Sequence, residues 1–382
     1  MHYFDNAATT FPKPEIVYKT MDGFYRSYGV NVGRGQFMES SIAANMVEET
    51  RNLMLDLFHV PHSHSCVFTA SATEALNTIL FGLAWRPKMN VYISPFEHNA
   101  VLRPINRIKE LYDVNIRVLQ PDNSFSFDLE QIEQEFLQAK PDVVILTHAS
   151  NVFGNILPVS QICSLAKLHQ ATTICDMAQT AGLIDFDISK AQVDYAVFAG
   201  HKTLYGPFGV AGFITNQRCK LTPLLYGGTG IDSKNPQMPE EMPTKYEAGS
   251  HNINAISGLN AALKWINEIG IINIRAREMQ ITNELLKILA QHRNIRIIRS
   301  PIEEGNVGVI SCTFYNYSSD SIGQVLSDNE IAVRTGLHCA PLAHEFAKTA
   351  PDGTVRFSVG FFTSDTDLIQ LNKALQYIEM EG

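Results

Sequence analysis

What this chain lacks narrows it first. Its 382 residues contain no run approaching the roughly 18 apolar residues that a membrane-spanning helix requires. The opening MHYFDNAATTFPKP has no basic stretch followed by an apolar one, so it is not read as a signal peptide. Basic residues are not in excess: 30 Lys and Arg against 39 Asp and Glu leave a net charge of −9, which offers no electropositive surface to a nucleic acid. The six cysteines, Cys66, Cys163, Cys175, Cys219, Cys312 and Cys339, form no CxxC pair, which points to reduced thiols in a cytoplasmic setting rather than a disulfide framework. HVPHSHSC (59–66) crowds His59, His62, His64 and Cys66 together, but without a zinc spacing, and it reads as a solvated turn. GPFGVAG (206–212) departs from GxGxxG and precedes a strand instead of opening a helix, so no dinucleotide fingerprint is present. There is no internal repeat, low-complexity tract or long linker.

What is present is a folded core in alternating pieces. Hydrophobic residues make up 45% and charged residues 18%, ordinary for a globular enzyme with two or three domains' worth of core. Apolar strand-like runs alternate with amphipathic ones. CVFTA (66–70) precedes TEALNTILFGLA (73–84), NVYIS (90–94) precedes HNAVLRPINRIKELY (98–112), and DVVILTHAS (142–150) precedes VSQICSLAKLHQ (159–170). TTICDMAQ (172–179), DYAVFAGH (194–201) and GVAGFIT (209–215) follow. Near-continuous apolar strands separated by helices predict an α/β fold with a parallel sheet covered on both faces. Residues 226–252 are rich in Gly, Pro and charge and read as an excursion loop. After them come helical runs (254–270, 275–292) and short strands (295–300, 308–315), the order of a smaller α+β unit. We place the boundary near 250, giving a large domain over 15–250 and a small domain over 1–14 and 251–382.

One lysine raises the chemical question. FAGHKTLYGPFGVAGF (198–213) sets Lys202 among apolar and glycine neighbours, and lysine is rarely buried unless its charge is paired or consumed. In open α/β sheets ligands sit at the carboxyl ends of the strands. Asp176 ends TTICD, His98 follows NVYISPFE, Asn151 follows ILTHAS, and Ser71 and Thr73 open the helix after CVFTA. The fold brings these to one rim with Lys202. A lysine for an aldehyde, an aspartate for a pyridinium nitrogen, an imidazole for stacking and proton transfer, and a helix N-terminus for a phosphate are what pyridoxal phosphate requires.

Several motifs in order carry a resemblance along nearly the whole chain: YFDNAATT, TASATEALN, EHNAVLRP, HASNVFGN, DMAQTAG, FAGHKTLYGPFG, YEAGSHN, RTGLHCAP and GTVRFSVGFFTS. The chain resembles the class V aminotransferase-like enzymes of fold type I, and within them the cysteine desulfurase and selenocysteine lyase family. The resemblance implies a mostly parallel seven-stranded sheet in the large domain and pyridoxal phosphate as cofactor. It implies Lys202 as the Schiff-base lysine, Asp176 at the pyridine nitrogen, Gln179 near the ring's phenolic oxygen and His98 over the ring face. It places Ala72, Thr73 and His201 at the phosphate, and Ser250 at the phosphate of a neighbouring subunit, hence a homodimer. Arg356 and Asn151 match the positions that hold the substrate carboxylate, and Cys339, in RTGLHCA, matches the short catalytic loop. The implied reaction turns L-cysteine into L-alanine and leaves a persulfide on Cys339 for a possible protein sulfur acceptor. The alternatives are a selenocysteine lyase acting on L-selenocysteine, or a class V aminotransferase or lyase that does not use the thiol. Two positions depart from the pattern. Ala199 stands where a serine often supplies a phosphate ligand. Leu337 stands where a first histidine often precedes the cysteine, leaving His338 as the neighbour that could favour a thiolate.

Overall fold

The computed structural model describes residues 1–382 except 33, 34, 36, 62, 217–219, 231–233, 303, 304 and 382. In chain order, strand β1 (His2–Tyr3) leads into helices α1 (Glu15–Tyr28) and α2 (Met38–Leu57). The large sheet follows: β2 (His64–Thr69), α3 (Ala72–Gly82), β3 (Asn90–Ile93), α4 (Asn99–Tyr112), β4 (Asn115–Val118) and α5 (Leu129–Gln138). It continues through β5 (Val143–Thr147), α6 (Val159–Leu168), β6 (Thr172–Asp176), β7 (Tyr195–Ala199) and β8 (Ala211–Asn216). Its order is β2-β8-β7-β6-β5-β3-β4. The chain reverses direction across the sheet between β3 and β5, which opens a crevice at their carboxyl ends. All pairings are parallel except those of β8, which runs against both β2 and β7. The reason is local. Only residues 200–210 join β7 to β8, and that span carries no helix, whereas a parallel neighbour needs a longer crossover.

The strand runs explain the layering. Every residue of β5 and of β7 is buried. In β5, Val144 and Leu146 pack into one core while Val143 and Ile145 pack into the other, and Ala196/Phe198 against Tyr195/Val197 divide β7 in the same way. A period of two with both faces apolar is what a doubly covered sheet needs. The α3–α4 layer contributes Leu76, Ile79 and Ile105 to one core. The other is closed by Met54 of α2, Phe136 of α5 and Ile162 of α6. Each such side chain stabilises the fold by about 1.5–3 kcal/mol relative to exposure.

After the excursion loop come α7 (Ile253–Ile269), α8 (Ile271–Leu289), β9 (Ile295–Ile298), β10 (Val309–Phe314) and α9 (Ser319–Asp328). The small unit ends with β11 (Ile331–Ala332), β12 (Arg334–Gly336), α10 (Pro341–Phe346), β13 (Thr354–Ser358) and α11 (Asp365–Glu381). Strands β12-β13-β10-β9 form an antiparallel sheet, and β1 pairs with β11. This unit has its own core around Ile281, Leu285, Ile310, Phe357 and Leu371. A boundary near 250 assigns α7 to this unit, yet α7 packs on α1 and α2, and Ile256, Leu259 and Ile266 belong to the core of the large sheet. We therefore propose that the division falls after α7. The excursion loop has little regular structure beyond a 3-10 turn at Thr244–Tyr246. Among the described residues no helix is long and apolar enough to cross a membrane.

Candidate active site

The turn after β7 presents Lys202. Gly200 is required there, since a Cβ would lie 2.5 Å from the Val210 carbonyl oxygen. The Gly206 N–H closes back on the Gly200 carbonyl at 2.8 Å, and the Tyr205 N–H on that of Lys202 at 2.8 Å. The threonines of YFDNAATT hold the turn from the other side: Thr9 Oγ1 donates to the His201 carbonyl at 2.9 Å and Thr10 Oγ1 to that of Lys202 at 2.7 Å. Lys202 lines a cavity of about 230 Å³ at the carboxyl ends of β3, β5, β6 and β7. Burial is the main cause that pushes its amine down to about 8, reinforced by Arg356 and Arg334 and opposed by Asp176.

Asp176 ends β6 and is buried, with Oδ1 accepting the Ala178 N–H at 3.0 Å. Burial raises its carboxyl above the ordinary value, while that N–H and the Lys202 charge pull it back. Gln179 Nε2 donates to the Ala7 carbonyl at 2.9 Å. His98 caps α4: its Nδ1 accepts the Ala100 N–H at 3.0 Å, so the neutral ring carries its proton on Nε2. Burial, then Lys202 and the nearby arginines, lower that imidazole to about 4, so it is neutral at pH 7. On the opposite wall, Ser71 caps α3 by accepting the Glu74 N–H at 3.1 Å, leaving the first-turn N–H groups of Ala72 and Thr73 without intrahelical partners. His201 stacks on Phe208 at 4.6 Å, its Nδ1 buried without a partner, and burial lowers it to about 3. Ala199 lines the same cavity, so no hydroxyl is offered at that point.

The small domain closes the cavity with β12 and β13. Arg356 is buried; its Nη2 meets Asp5 Oδ1 at 2.5 Å and its Nη1 the Asn151 carbonyl at 2.9 Å, while Nε has no partner. Arg334 lies directly opposite Arg356 across the strand pair and also lines the cavity. Like charges so placed repel, and Asp5 balances only one of them. At the end of β12 the chain turns through Gly336 and then His338 and Cys339, at φ of 91°, 47° and 59°. For the two non-glycine residues this left-handed conformation costs roughly 1 kcal/mol or more each. The Cys339 carbonyl accepts the Asn99 N–H at 2.7 Å, and the His338 carbonyl accepts Asn151 Nδ2 at 2.7 Å.

The structure thus brings Lys202, Asp176, Gln179, His98, Ala72, Thr73, His201, Asn151 and Arg356 onto one cavity. Ser250 is not there. It is exposed, in a separate groove beside Glu247 and His251. Cys339 is half-buried on the adjoining loop and does not line the cavity, although Arg334 and His338 from the same segment do. His338, named as a neighbour that could favour a thiolate by charge or by hydrogen bonding, is left without the charge: burial, then Arg356, lowers its imidazole to about 2, so it is neutral. Leu337 is partly exposed, at 37%. Sequence reasoning missed Asp5 and Arg334. Asp5 stands inside YFDNAATT, but the pairing across β12 and β13 has no signature in the chain. In the histidine cluster, His59 pairs with Asp185 at 2.5 Å, Cys66 is buried beside Arg51, and His62 lies outside the described residues.

A family model for the class V aminotransferases matches residues 2–371. The chain belongs to the class V aminotransferase family. Family members use pyridoxal phosphate. A protein of Methanothermobacter thermautotrophicus described as a probable cysteine desulfurase is 30% identical, covering 100% of this chain and 96% of its own. The apo structure of the cysteine desulfurase of Thermococcus onnurineus NA1 superposes with a TM-score of 0.92 at 26% identity, covering 100% of this chain and 95% of that one. The cysteine desulfurase CsdA of Escherichia coli shares the fold, with a TM-score of 0.87 at 24% identity over 99% of this chain and 94% of its own. The fold-type I architecture expected from the sequence is therefore the one found. The residues present also fit the family cofactor: a lysine and a buried carboxylate at neighbouring strand ends, an unpartnered buried imidazole nitrogen at His201, and unpaired N–H groups at the start of α3.

Proposed function

We propose that this chain is a pyridoxal phosphate-dependent cysteine desulfurase that converts L-cysteine to L-alanine and keeps the sulfur as a persulfide on Cys339. One observation carries the reading: Lys202 and Asp176, at the ends of adjacent strands, share a single cavity whose rim, at Asn99 and Asn151, grips the loop bearing a half-buried thiol. The comparisons support it, since the relative and the structural neighbour above are described as cysteine desulfurases. Bound here, the cofactor supplies an aldehyde for Lys202 and an electron sink that makes the Cα proton removable and the Cβ–S bond labile.

The chain's own groups do the rest. Asp176 would keep the ring nitrogen protonated. The α3 N-terminus, Thr73 and His201 would hold the phosphate, and Gln179 would retain an N–H for the phenolic oxygen. The unpartnered Nε–H of Arg356 takes the substrate carboxylate, with Asn151 beside it. An amine brought down to about 8 gives up its proton readily, so Lys202 serves as the base at Cα. His98 would cover the ring and, with its proton on Nε2, would donate rather than accept. The Cys339 sulfur attacks the substrate sulfur; an S–S bond forms as the Cβ–S bond breaks. The electron pair and a proton end on Cβ, so carbon is reduced, sulfur is oxidised, and no outside oxidant is needed. Ser250 reaches the phosphate site of a second copy, which makes the working form a homodimer, and a protein acceptor receives the sulfur. The test is mass spectrometry of Cys339 after exposure to L-cysteine. One added sulfur together with stoichiometric alanine is expected. An unmodified Cys339 peptide during steady turnover rejects the reading in favour of thiol-independent chemistry. A far higher kcat/KM on L-selenocysteine than on L-cysteine favours the lyase instead.

A further inference from the structure

His338 lines the cavity beside the thiol, yet burial keeps it neutral, and none of the chemistry above employs it. Its hydrogen bonds show where it is committed. His338 Nε2 lies 3.0 Å from Thr354 Oγ1, Thr354 Oγ1 lies 2.9 Å from Ser311 Oγ, and Ser311 Oγ lies 2.7 Å from the Val152 carbonyl oxygen. The direction of each bond follows from the end of the chain. A carbonyl only accepts, so the single Ser311 hydroxyl proton goes to Val152. Ser311 Oγ then accepts from Thr354, which spends the only Thr354 proton. Nε2 must therefore donate, and the ring is the Nε2–H tautomer with Nδ1 bare. Nδ1 is buried without a partner.

A second arm leads to the same place. Asn151, the residue before Val152, donates its side-chain N–H to the His338 carbonyl. Ring and backbone of one residue are thus tied to consecutive residues of the turn after β5, through groups that are all buried. The turn so tied holds two consecutive non-glycine residues at positive φ, a conformation that persists only where the surroundings enforce it.

We propose that His338 is a positioning residue: through Thr354 and Ser311 it locks the strained loop to the cofactor domain and so fixes the reach of Cys339 toward the substrate sulfur. This rests on the desulfurase reading for its consequence, but not for its geometry. Thr354→Val removes the hydroxyl without touching any reacting group, and Thr354→Ser restores it. Full-length protein loaded with cofactor is exposed to L-cysteine, and sulfur loading on Cys339 is followed by mass spectrometry. In parallel, Cys339 is alkylated with iodoacetamide with and without cofactor. Thr354→Val is expected to slow loading roughly tenfold, as misplacement of a reacting group does, and to speed alkylation several-fold. It is expected to keep the yellow cofactor absorbance and the wild-type shape of the pH profile. Thr354→Ser is expected to match the wild type. Wild-type loading and alkylation rates in Thr354→Val overturn the proposal, as does a pH profile that loses a limb, which would make His338 an acid or base. Should Thr354→Val lose the absorbance, Ser311→Ala removes the next link and is read in the same way, with unchanged alkylation overturning the proposal. If wild-type Cys339 never takes up sulfur, it is the desulfurase reading that fails, and the alkylation rates still decide whether His338 anchors the loop.

Discussion

The turns bearing Lys202 and Cys339, the two reactive groups of the proposed mechanism, are built in opposite ways. The lysine turn is a backbone construction. It follows a fully buried strand, folds where Gly200 permits no Cβ, and is closed by main-chain N–H groups and two threonine hydroxyls. The thiol turn is a side-chain construction. Two of its left-handed residues, His338 and Cys339, are not glycine, and apart from the Asn99 N–H its restraints are the Asn151 amide, the His338 imidazole and the hydroxyls of Ser311 and Thr354. Backbone closure tolerates substitution of its neighbours, whereas a buried side-chain relay loses its hold when one member is removed. The first site should therefore fail through loss of its own reactive group, and the second also through loss of remote partners.

The largest expected effect tests the first half of that contrast. Lys202→Ala should lower alanine formation from L-cysteine by about 10⁴-fold, in keeping with loss of both covalent attachment and the base at Cα. Borohydride should then trap no cofactor on the chain. Next, Cys339→Ala should lower cysteine turnover roughly 10²-fold, as when a reacting group is misplaced, while leaving the cofactor absorbance intact. Equal losses of absorbance in the two variants would erase the distinction drawn between the two turns.

A buried acid bonded to the Thr147 backbone, at the cavity wall, sharpens the comparison through pH. Glu97, next to His98, accepts from Ser94 Oγ at 2.6 Å and from the Thr147 N–H at 2.9 Å, and its second oxygen has no partner. Burial raises its carboxyl from 4.5 to about 8. The folded state therefore binds this proton more tightly than the unfolded state. The stability it contributes is complete below pH 4.5 and is lost as pH rises toward about 8. Glu97→Gln has no proton to lose. Its stability relative to the wild type should climb across that window in urea unfolding, and a flat difference would show that Glu97 ionises freely. The smallest effect belongs to Ala199. Ala199→Ser adds a hydroxyl to the cavity wall and should slow cofactor loss on dialysis about fivefold, the worth of one added hydrogen bond. No change would mean that other donors already saturate the phosphate end.

Most of the large sheet was legible because its strands are covered on both faces. Runs such as DVVILT and DYAVFA admit no other placement than a buried strand, and Asp176 and Lys202 follow from where those runs stop. Strand β4 was not legible: NIRV is short, sits at the sheet edge and carries little burial. The antiparallel β8 reads like its parallel neighbours, since direction depends on the length of the connection and not on the residues of the strand. The division proposed after α7 was not legible, because a helix with apolar residues on several sides does not announce which of two cores it joins.

From the order of its residues alone, this protein was committed to a doubly covered α/β sheet and to a lysine, an aspartate and a helix start meeting at the strand ends, since local periodicity and strand ends fix both. The opposition of Arg334 and Arg356, the capture of Asp5, the tautomer of His338 and the anchoring of the thiol loop to Asn99 and Asn151 were settled only by packing. Each depends on a register or a hydrogen bond between segments far apart in the chain, and no local pattern encodes the distance between them.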